Sequence, residues 1–339
     1  MQHSLEALGW NQHFADAFAP HERQGLVPAR VAVQERGAVV LFTSSGVIPA
    51  TGHAVTGDWV AAELIPGDHR AIVRAVLPRR TRFARKEPWL TEEQVVAANI
   101  DTVFLVTDCV GDFKPRRLER YLTAAWDSGA DPVIVLTKSD LADDPAETVA
   151  EAEAVAFGVP VHTVSSVTGE GLDALSPYLA PGRTVALLGS SGVGKSTLAN
   201  RLLGEELLAT GDVRKDGRGR HTTTHRELVI LPGGGLLLDT PGMRELQLWT
   251  NESALEETFA DVTELASRCR FTDCGHGSEP GCAVRAALAD GSLPQIRWES
   301  YSKLQRELRA LAVRQDARLR SEARKERRRF ARSRRKTKW

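Results

Sequence analysis

A glycine-rich segment that ends in a lysine and a serine is the strongest chemical motif in the chain. Residues 189–196 read Gly-Ser-Ser-Gly-Val-Gly-Lys-Ser, after an apolar run at 185–188 and before a pattern of helical spacing. Such glycines let backbone N–H groups converge on phosphate oxygens at a helix N-terminus, while Lys195 reaches the β- and γ-phosphates and Ser196 ligates magnesium. The sequence therefore predicts a site for a nucleoside triphosphate with magnesium. The alternative is a purely structural glycine-rich turn.

A second motif follows the first by about forty residues. Residues 236–242 read Leu-Leu-Leu-Asp-Thr-Pro-Gly, a buried strand that ends in Asp-x-x-Gly. In phosphate-loop proteins the aspartate at this strand end holds magnesium, commonly through a water, and the glycine amide senses the γ-phosphate. We therefore predict that Asp239 holds magnesium and that the Gly242 amide senses the γ-phosphate. By itself, this motif is weak evidence for a nucleotide site, but its position after a phosphate loop makes it strong evidence.

Two further segments have the residue types that select guanine. Residues 137–140, Thr-Lys-Ser-Asp, follow an apolar run; Asp140 would accept hydrogen bonds from the base and the Lys138 stem would cover its face. Thr137 stands where an asparagine is usual, which weakens one polar contact and leaves a solvent-facing turn as the alternative. Residues 165–171, Ser-Ser-Val-Thr-Gly-Glu-Gly, are similar to the segment whose backbone closes over guanine.

The order of these motifs differs from that of Ras-like GTPases. In those proteins the phosphate loop comes first and the base-reading segments come last, whereas here residues 137–140 and 165–171 precede residues 189–196. This order indicates a circular permutation, which is possible when the termini of a domain lie close together.

The segment between the phosphate loop and Asp239 has the position of a nucleotide-sensing switch. Residues 211–225 are polar and rich in glycine, and we expect Thr223 to complete the magnesium shell when the γ-phosphate is present. Met243 stands where Ras-like proteins have a glutamine, and a methionine cannot orient or deprotonate water. The sequence therefore predicts slow intrinsic hydrolysis, with His221 positioning water once a partner orders the segment. The alternative is that His221 has no chemical role.

Three cysteines and a histidine lie within fourteen positions. Cys269, Cys274, His276 and Cys282 offer three thiolates and an imidazole, enough for a closed tetrahedral zinc site. Because all four positions are filled, one structural zinc ion per chain is predicted; chance clustering of cysteines is the alternative. Cys109 lies apart from this group and is expected to act as a small buried hydrophobic residue.

Apolar spacing indicates three folded regions. Short alternations separated by turn residues fill residues 28–82 and predict a five-stranded β-barrel, with an OB-fold as the leading candidate. Residues 78–86 are basic and lack periodicity, which favours a linker, and we place this linker at residues 83–98. Strands that alternate with helices predict a doubly wound α/β domain at 99–250, and helical spacing predicts a helical domain at 251–313.

The net charge of zero hides an uneven distribution. Residues 314–339 contain 13 basic and three acidic residues, a net charge of +10, which leaves a net charge of −10 before them. Such a basic tail usually meets a polyanion, nucleic acid before membrane, although a solvated helix face is the alternative. No apolar run approaches the roughly 18 residues of a membrane span, and the start of the 1–27 extension lacks a signal-peptide pattern. We therefore expect a cytoplasmic protein with no membrane partner.

These features together resemble the RsgA (YjeQ) family of small ribosomal subunit GTPases. Residues 57–60 (Gly-Asp-Trp-Val), 77–81 (Leu-Pro-Arg-Arg-Thr) and 217–224 (Gly-Arg-Gly-Arg-His-Thr-Thr-Thr) add to the likeness, which covers about residues 28–310. The resemblance implies an OB-fold β-barrel, a circularly permuted P-loop GTPase and a helical zinc-binding domain. It also implies a monomeric GTP hydrolase that binds rRNA, assists late maturation of the small (30S) subunit and is stimulated by it.

Two other functions stay open at this point. A non-catalytic RNA-binding assembly factor that uses GTP as a switch is compatible with Met243. A P-loop ATPase or kinase is disfavoured by the Thr-Lys-Ser-Asp segment. The residues predicted to bind GTP are Thr137, Lys138, Ser139, Asp140, Ser165, Ser166, Gly189, Ser190, Ser191, Gly192, Val193, Gly194, Lys195, Ser196, Thr197, Asp239 and Gly242. The magnesium ligands are predicted to be Ser196, Thr223 and Asp239, and the catalytic residues Lys195 and His221.

Overall fold

The structure, a computed structural model, describes residues 3–35, 37–86, 93–204, 226–239 and 252–315. These residues divide into two units, one that extends to residue 239 and one that comprises residues 252–315. Within the described ranges, no helix combines the length and apolar character that a membrane crossing requires. The predicted residues His221, Thr223 and Gly242 lie outside the described ranges.

The first unit begins with a helix and a five-stranded barrel. Their bounds are Gln12–Glu22 (α1), Val27–Gln34 (β1), Ala38–Thr43 (β2), Gly46–Thr51 (β3), Trp59–Leu64 (β4) and Ala71–Val76 (β5). β1 pairs with both β2 and β4, β3 pairs in parallel with β5, and β5 pairs with β4. The strands therefore close on themselves, which confirms the predicted barrel.

Helix α1 packs against the barrel through aromatic side chains. The Asn11 side chain caps the helix by accepting from the His13 amide at 3.1 Å. Phe14 and Phe18 are buried, and the Phe14 ring lies 5.7 Å from the ring of the fully buried Trp59. This part of the 1–27 extension thus contributes to the core of the first unit.

Residues 83–98, expected to be a linker, contain two paired strands instead. Arg82–Lys86 (β6) and Glu93–Ala98 (β7) form an antiparallel pair that joins Arg82 to Ala98 and Lys86 to Glu93. Arg82 is exposed and Phe83 is buried, and the register of the pair shifts between Phe83 and Ala84. The order Arg-Phe-Ala-Arg-Lys shows no regular alternation, so the linker prediction was wrong because the sequence of β6 lacks the usual strand pattern.

The second half of the first unit is the α/β part. Its elements are Thr102–Asp108 (β8), Pro115–Ser128 (α2), Asp131–Thr137 (β9), Pro145–Glu153 (α3), Val161–Thr163 (β10), Thr184–Gly189 (β11), Lys195–Leu203 (α4), Arg226–Ile230 (β12) and Leu236–Asp239 (β13). All seven residues of β8 are buried, as expected for a central strand with both faces covered. The predicted apolar runs are thus confirmed as strands.

A single sheet connects the barrel with the α/β part. Its strand order is β10-β9-β8-β11-β13-β12-β1-β2-β3-β5-β4. The joint is the antiparallel pair of β1 and β12, in which Val33 lies opposite Glu227 and Gln34 opposite Arg226. The β12–β13 hairpin therefore lies between the barrel and the strand β11 that leads into residues 189–196.

A fully buried arginine of β1 strengthens this joint. The guanidinium of Arg30 donates to the Leu8 carbonyl, to Gly57 O at 3.4 Å, to Asn99 O at 2.9 Å and to Thr184 Oγ1 at 2.8 Å. These acceptors come from the start of the chain, the barrel and the α/β part. One side chain thus holds three segments together.

Two of the motifs that suggested the family meet at the same junction. The Asp58 carboxylate is fully buried and receives Arg79 Nε at 2.7 Å and Arg79 Nη2 at 2.9 Å. The Val55 amide donates to the same carboxylate at 2.9 Å. A bidentate arginine pair of this geometry fixes the chain where it leaves the barrel.

The second unit is helical. Its helices are Glu252–Thr258 (α5), Ala260–Ser267 (α6), Ala283–Asp290 (α7) and Gln295–Gln315 (α8). Arg297 of α8 is 3% exposed and donates to both oxygens of Asp261, at 2.8 and 3.1 Å, and to Thr258 O at 2.8 Å. Its guanidinium also lies 4.3 Å from the Phe259 ring centre. These contacts join α8 to α5 and α6.

Candidate nucleotide site and candidate metal centre

Four parallel strands end at one edge of the sheet. β10, β9, β8 and β11 lie side by side in that order. Loops that follow neighbouring parallel strands face a common crevice, which is where open α/β sheets bind ligands. The loops after β9, β10 and β11 are those in which the sequence predicted nucleotide contacts. The fold therefore brings these three segments to one edge.

The glycine-rich segment has the strand-loop-helix context that was predicted. β11 ends at Gly189, where a Cβ atom would collide with the Val106 carbonyl oxygen, and α4 begins at Lys195. Gly192 and Gly194 have φ angles of +84° and +92°, which side chains other than glycine rarely adopt. The Lys195 ammonium folds back over the loop, donating to Gly189 O at 2.8 Å and to the Ser190 carbonyl.

Thr137 connects the loop after β9 to the glycine-rich loop. Its hydroxyl donates to Val193 O at 2.5 Å and lies 3.2 Å from Thr107 O. The residue is 2% exposed, and a Cβ on Gly194 would sit in ordinary contact with the Thr137 hydroxyl at 3.5 Å. The threonine in place of asparagine thus makes a polar bridge between two loops, a contact that the sequence did not predict.

Lys138 is paired with an aspartate at the end of the neighbouring strand. Its ammonium lies 2.7 Å from Asp108 Oδ2, while Asp108 Oδ1 accepts from the amides of Val110 and Asp112 at 3.2 and 2.9 Å. Burial raises the pKa of Asp108, but the hydrogen bonds from Lys138 and the two amides outweigh it and hold that pKa below its usual value. The carboxylate is therefore charged at neutral pH.

The next two residues of this loop differ in exposure. Asp140 is exposed, and the Ser139 amide donates to Val164 O at 3.3 Å. The Ser139 hydroxyl is buried and has no hydrogen-bond partner among the described residues. A polar atom of this kind has a hydrogen bond to offer to a ligand.

The loop after β10 is held by its own backbone. The Ser165 amide donates to Glu170 O at 2.9 Å, the Thr168 amide donates to Ser165 Oγ at 3.1 Å, and the Gly169 amide donates to Ser165 O at 2.9 Å. A Cβ on Gly171 would collide with the Thr163 carbonyl, so only glycine fits there. Ser165 is fully buried, whereas the adjacent Ser166 is half-buried.

The remaining predicted nucleotide contacts are described only in part. Asp239 is the last residue of β13, and its backbone pairs with Glu227 of β12. Ser196 and Thr197 lie in the first turn of α4, directly after Lys195. His221, Thr223, Gly242 and Met243 lie in ranges that the structure does not describe.

The four predicted metal ligands come together in the second unit. The ligand atoms of Cys269, Cys274, His276 and Cys282 all lie within 4.8 Å of one another. His276 Nδ1 is 3.6 Å from Cys269 Sγ and 3.5 Å from Cys282 Sγ, and these two sulfurs are 3.9 Å apart. Two sulfurs at about 2.3 Å from a tetrahedral zinc ion would be about 3.8 Å apart. The group thus has the spacing of a closed tetrahedral metal site.

Local structure supports this arrangement. Cys282 caps helix α7, with its sulfur accepting from the Arg285 amide at 3.5 Å. His276 has a left-handed backbone with a φ of 55°, and its ring packs edge-on against Trp298 of α8 at 5.5 Å. The loop is therefore bent so that the imidazole nitrogen faces the thiols. Cys109 lies in the first unit, where burial raises the pKa of its thiol.

Comparisons with known proteins decide the family. A family model described as RsgA GTPase matches residues 76–249, which is 174 of the 339 residues. The chain belongs to the RsgA GTPase family. A small ribosomal subunit biogenesis GTPase RsgA from Opitutus terrae is 51% identical over 337 residues, with 92% of each chain covered. Another protein of that name, from Streptomyces coelicolor, is 47% identical over 338 residues, covering 95% of this chain and 92% of the relative.

Solved structures agree with the RsgA assignment. YjeQ from Thermotoga maritima is 28% identical, with a TM-score of 0.62 over 84% of this chain and 98% of that chain. YloQ, described as a circularly permuted GTPase, is 24% identical and has the same TM-score of 0.62. At this identity, the likeness to YloQ supports only the fold. The predicted fold class, a barrel followed by a circularly permuted GTPase and a helical Cys3His region, is confirmed.

Membership of the RsgA family makes the chain a GTP hydrolase, as predicted. The structure adds residues to the site that sequence reasoning missed. In the sequence, Asp108 is only the residue that ends an apolar run, and its ion-pair partner Lys138 lies 30 positions away. A charged residue at the carboxyl end of a predicted parallel strand was the available signal.

Proposed function

We propose that this protein assists late maturation of the small ribosomal subunit, where it binds rRNA and hydrolyses GTP to GDP and phosphate. The relatives named small ribosomal subunit biogenesis GTPases support the ribosomal role. The observation that carries the nucleotide chemistry is the convergence of three motif loops at one sheet edge, with Thr137 bridging two of them. GTP is thus the substrate, and the small subunit is the partner.

Guanine would be read by the loop after β9. The exposed Asp140 carboxylate follows β9 and would accept hydrogen bonds from the base, and the buried Ser139 hydroxyl would offer a further hydrogen bond. The Lys138 stem would cover the base while its ammonium stays with Asp108. The loop at 165–171 would close over the base with its backbone, with Ser165 and Ser166 in contact.

The phosphates would lie on the segment Gly189 to Thr197. Backbone amides at the start of α4 would hold the phosphate oxygens, and Lys195 would move from the loop carbonyls to the β- and γ-phosphates. Magnesium bound with GTP would be held by Ser196, Thr223 and Asp239, and it would neutralise charge on the phosphates. Gly242 would sense the γ-phosphate through its amide.

Hydrolysis would be slow in the isolated protein because Met243 supplies no group that orients water. We assign water positioning to His221 in the complex with the small subunit. A His221→Ala variant should bind GTP normally and lose the stimulated turnover. Full stimulated turnover in that variant would remove His221 from the mechanism.

The Cys3His group would hold a structural zinc ion. Thiolates and an imidazole suit zinc, and the 3.9 Å sulfur separation fits its bond lengths. With four protein ligands no coordination position is left for substrate, so zinc would shape the second unit as an RNA-binding module. The barrel and the basic residues 314–339 would add further rRNA contacts, with the protein acting as a cytoplasmic monomer.

The test is steady-state GTP hydrolysis by the full chain, alone and with isolated small or large ribosomal subunits, at fixed magnesium and salt. We expect strong stimulation by the small subunit only. A Lys195→Ala variant is the control, because it removes the phosphate-binding ammonium. Equal rates with and without either subunit would refute the ribosomal role while leaving GTP binding intact.

A further inference from the structure

We propose that Asp108 is a positioning residue for base recognition, which acts by holding the Lys138 side chain against the guanine site. This inference rests on the proposed guanine-binding role of the loop after β9. Asp108 belongs to none of the motifs that the sequence indicated. Its strand β8 nevertheless lies between β9, which leads to the base-reading loop, and β11, which leads to the phosphate loop.

The contacts of Asp108 use both carboxylate oxygens. Oδ2 receives the Lys138 ammonium at 2.7 Å, and Oδ1 receives the amides of Val110 and Asp112. The aspartate side chain is 8% exposed, whereas that of Lys138 is 32% exposed. The anchor is therefore fixed and buried, and the lysine is the partner whose position it determines.

The sheet explains why the anchor lies at this point. β8 is the strand between β9 and β11, and Asp108, its last residue, lies opposite Thr137 in the register with β9. The chain then turns at Lys138 with a left-handed φ of 59°, a conformation that non-glycine residues adopt at a cost. The ion pair offsets this cost and directs the lysine side chain back over the strand ends.

The chemical consequence concerns the four methylenes of Lys138. Long cationic side chains bury their stems on apolar surfaces while the charged end seeks a polar partner. With the ammonium held by Asp108, the stem is kept in one orientation and presents an apolar surface for a planar base. Without Asp108, the ammonium would turn to water and the surface would be lost.

The experiment compares two ligands that share phosphates but differ in the base. GDP contacts both loops, whereas inorganic pyrophosphate contacts the phosphate loop alone. Affinities of both are measured by competition with a fluorescent GDP analogue on the full-length protein. We expect Asp108→Asn to weaken GDP by about five- to thirtyfold, the ratio that about 1–2 kcal/mol produces, and to leave pyrophosphate unchanged.

Three further variants complete the design. Lys138→Met retains an unbranched apolar stem but loses the charge, and we expect it to weaken GDP similarly. The double variant should be no weaker than the worse single variant, since both break one contact. Asp143→Asn changes an exposed aspartate close to the same loop and is the matched control, expected to bind as the wild type does.

The outcomes separate the two levels of the argument. Asp108→Asn could weaken the binding of GDP and of pyrophosphate equally, or weaken neither. Either result would overturn the positioning role, because the ion pair would then support the fold in general or have no effect on binding. Additive losses in the double variant would overturn it as well. A wild-type protein that binds ADP as tightly as GDP would instead overturn the guanine site itself.

Discussion

Replacing Thr137 by valine tests whether the base-reading and phosphate loops act as one site. Valine has a methyl group in place of the threonine hydroxyl, so the change removes one donor and alters the shape of the side chain little. The hydroxyl donates to Val193 O at 2.5 Å, and Val193 directly precedes Gly194, the N-cap of α4. The substitution therefore acts on the connection between the two loops.

The size of the effect follows from burial. Thr137 is 2% exposed, so water cannot replace the lost donor at the Val193 carbonyl. A buried acceptor that loses its partner costs about 1–3 kcal/mol. Because the strand β9 has other supports, we expect most of the cost to fall on the loop arrangement that binds nucleotide. About 1–2 kcal/mol raises the Kd for GDP by a factor of about 5–30.

Equilibrium titration with a fluorescent GDP analogue measures this change, at fixed magnesium and salt, with thermal melting recorded in parallel. Thr137→Ser retains a hydroxyl at the same atom and should bind close to the wild-type value. Thr137→Asn supplies an amide N–H that can donate to the Val193 carbonyl, and it should also restore affinity.

Two results would contradict this reasoning. Wild-type affinity in Thr137→Val with an unchanged melting temperature would show that the hydroxyl does not hold the loops together. Equal losses in the serine and valine variants would show that any change of the Thr137 side chain disturbs the loops, so the effect could not be assigned to the hydrogen bond.

Three further predictions concern stability. Removal of the proposed zinc ion by a strong chelator should unfold the Cys3His region, because a structural zinc ion contributes about 10–16 kcal/mol of binding energy; circular dichroism that is unchanged by chelator would contradict this. Arg30→Met should destabilise the first unit by about 2–4 kcal/mol, since it leaves four buried acceptors without their donor; calorimetry that shows a wild-type melting temperature would refute it. Burial lowers the pKa of His162, so the unfolded chain takes up the proton first and stability should fall as the pH decreases below about 6.5. His162→Gln should flatten that part of the profile of melting temperature against pH, and identical slopes would disprove the assignment.

Local patterns were sufficient to predict the elements around the nucleotide site. Compact apolar runs predicted β8, β9, β11 and β13, because parallel strands buried on both faces contain few polar residues. Pro115 and Gly129 predicted the two ends of α2, because proline fits the first helical position and glycine the left-handed residue after the last. The positions of the motif loops followed from these elements.

Contacts between distant segments could not be predicted in the same way. The Thr137–Val193 bridge joins residues 56 positions apart, and the Arg30–Thr184 bond joins residues 154 positions apart. No local pattern distinguishes a threonine that bridges two loops from one that faces solvent. The pairing of β6 with β7 was missed for a related reason, since six residues separate the two strands and they contain no Asn-Gly or Asp-Gly pair.

Arg30 also explains why the barrel and the α/β part form one unit despite their separate sequence patterns. Burial lowers the pKa of Arg30 to about 10 against the opposing attraction of Asp101 and Asp58, so the side chain is charged at neutral pH. A buried cation is costly unless all its donors are satisfied, and its acceptors come from three separate segments. The barrel strand β1 therefore reaches its stable state only when the α/β part is in place. The boundary that the composition indicates near residues 82–99 is thus a boundary of sequence pattern, whereas folding joins both sides through β1.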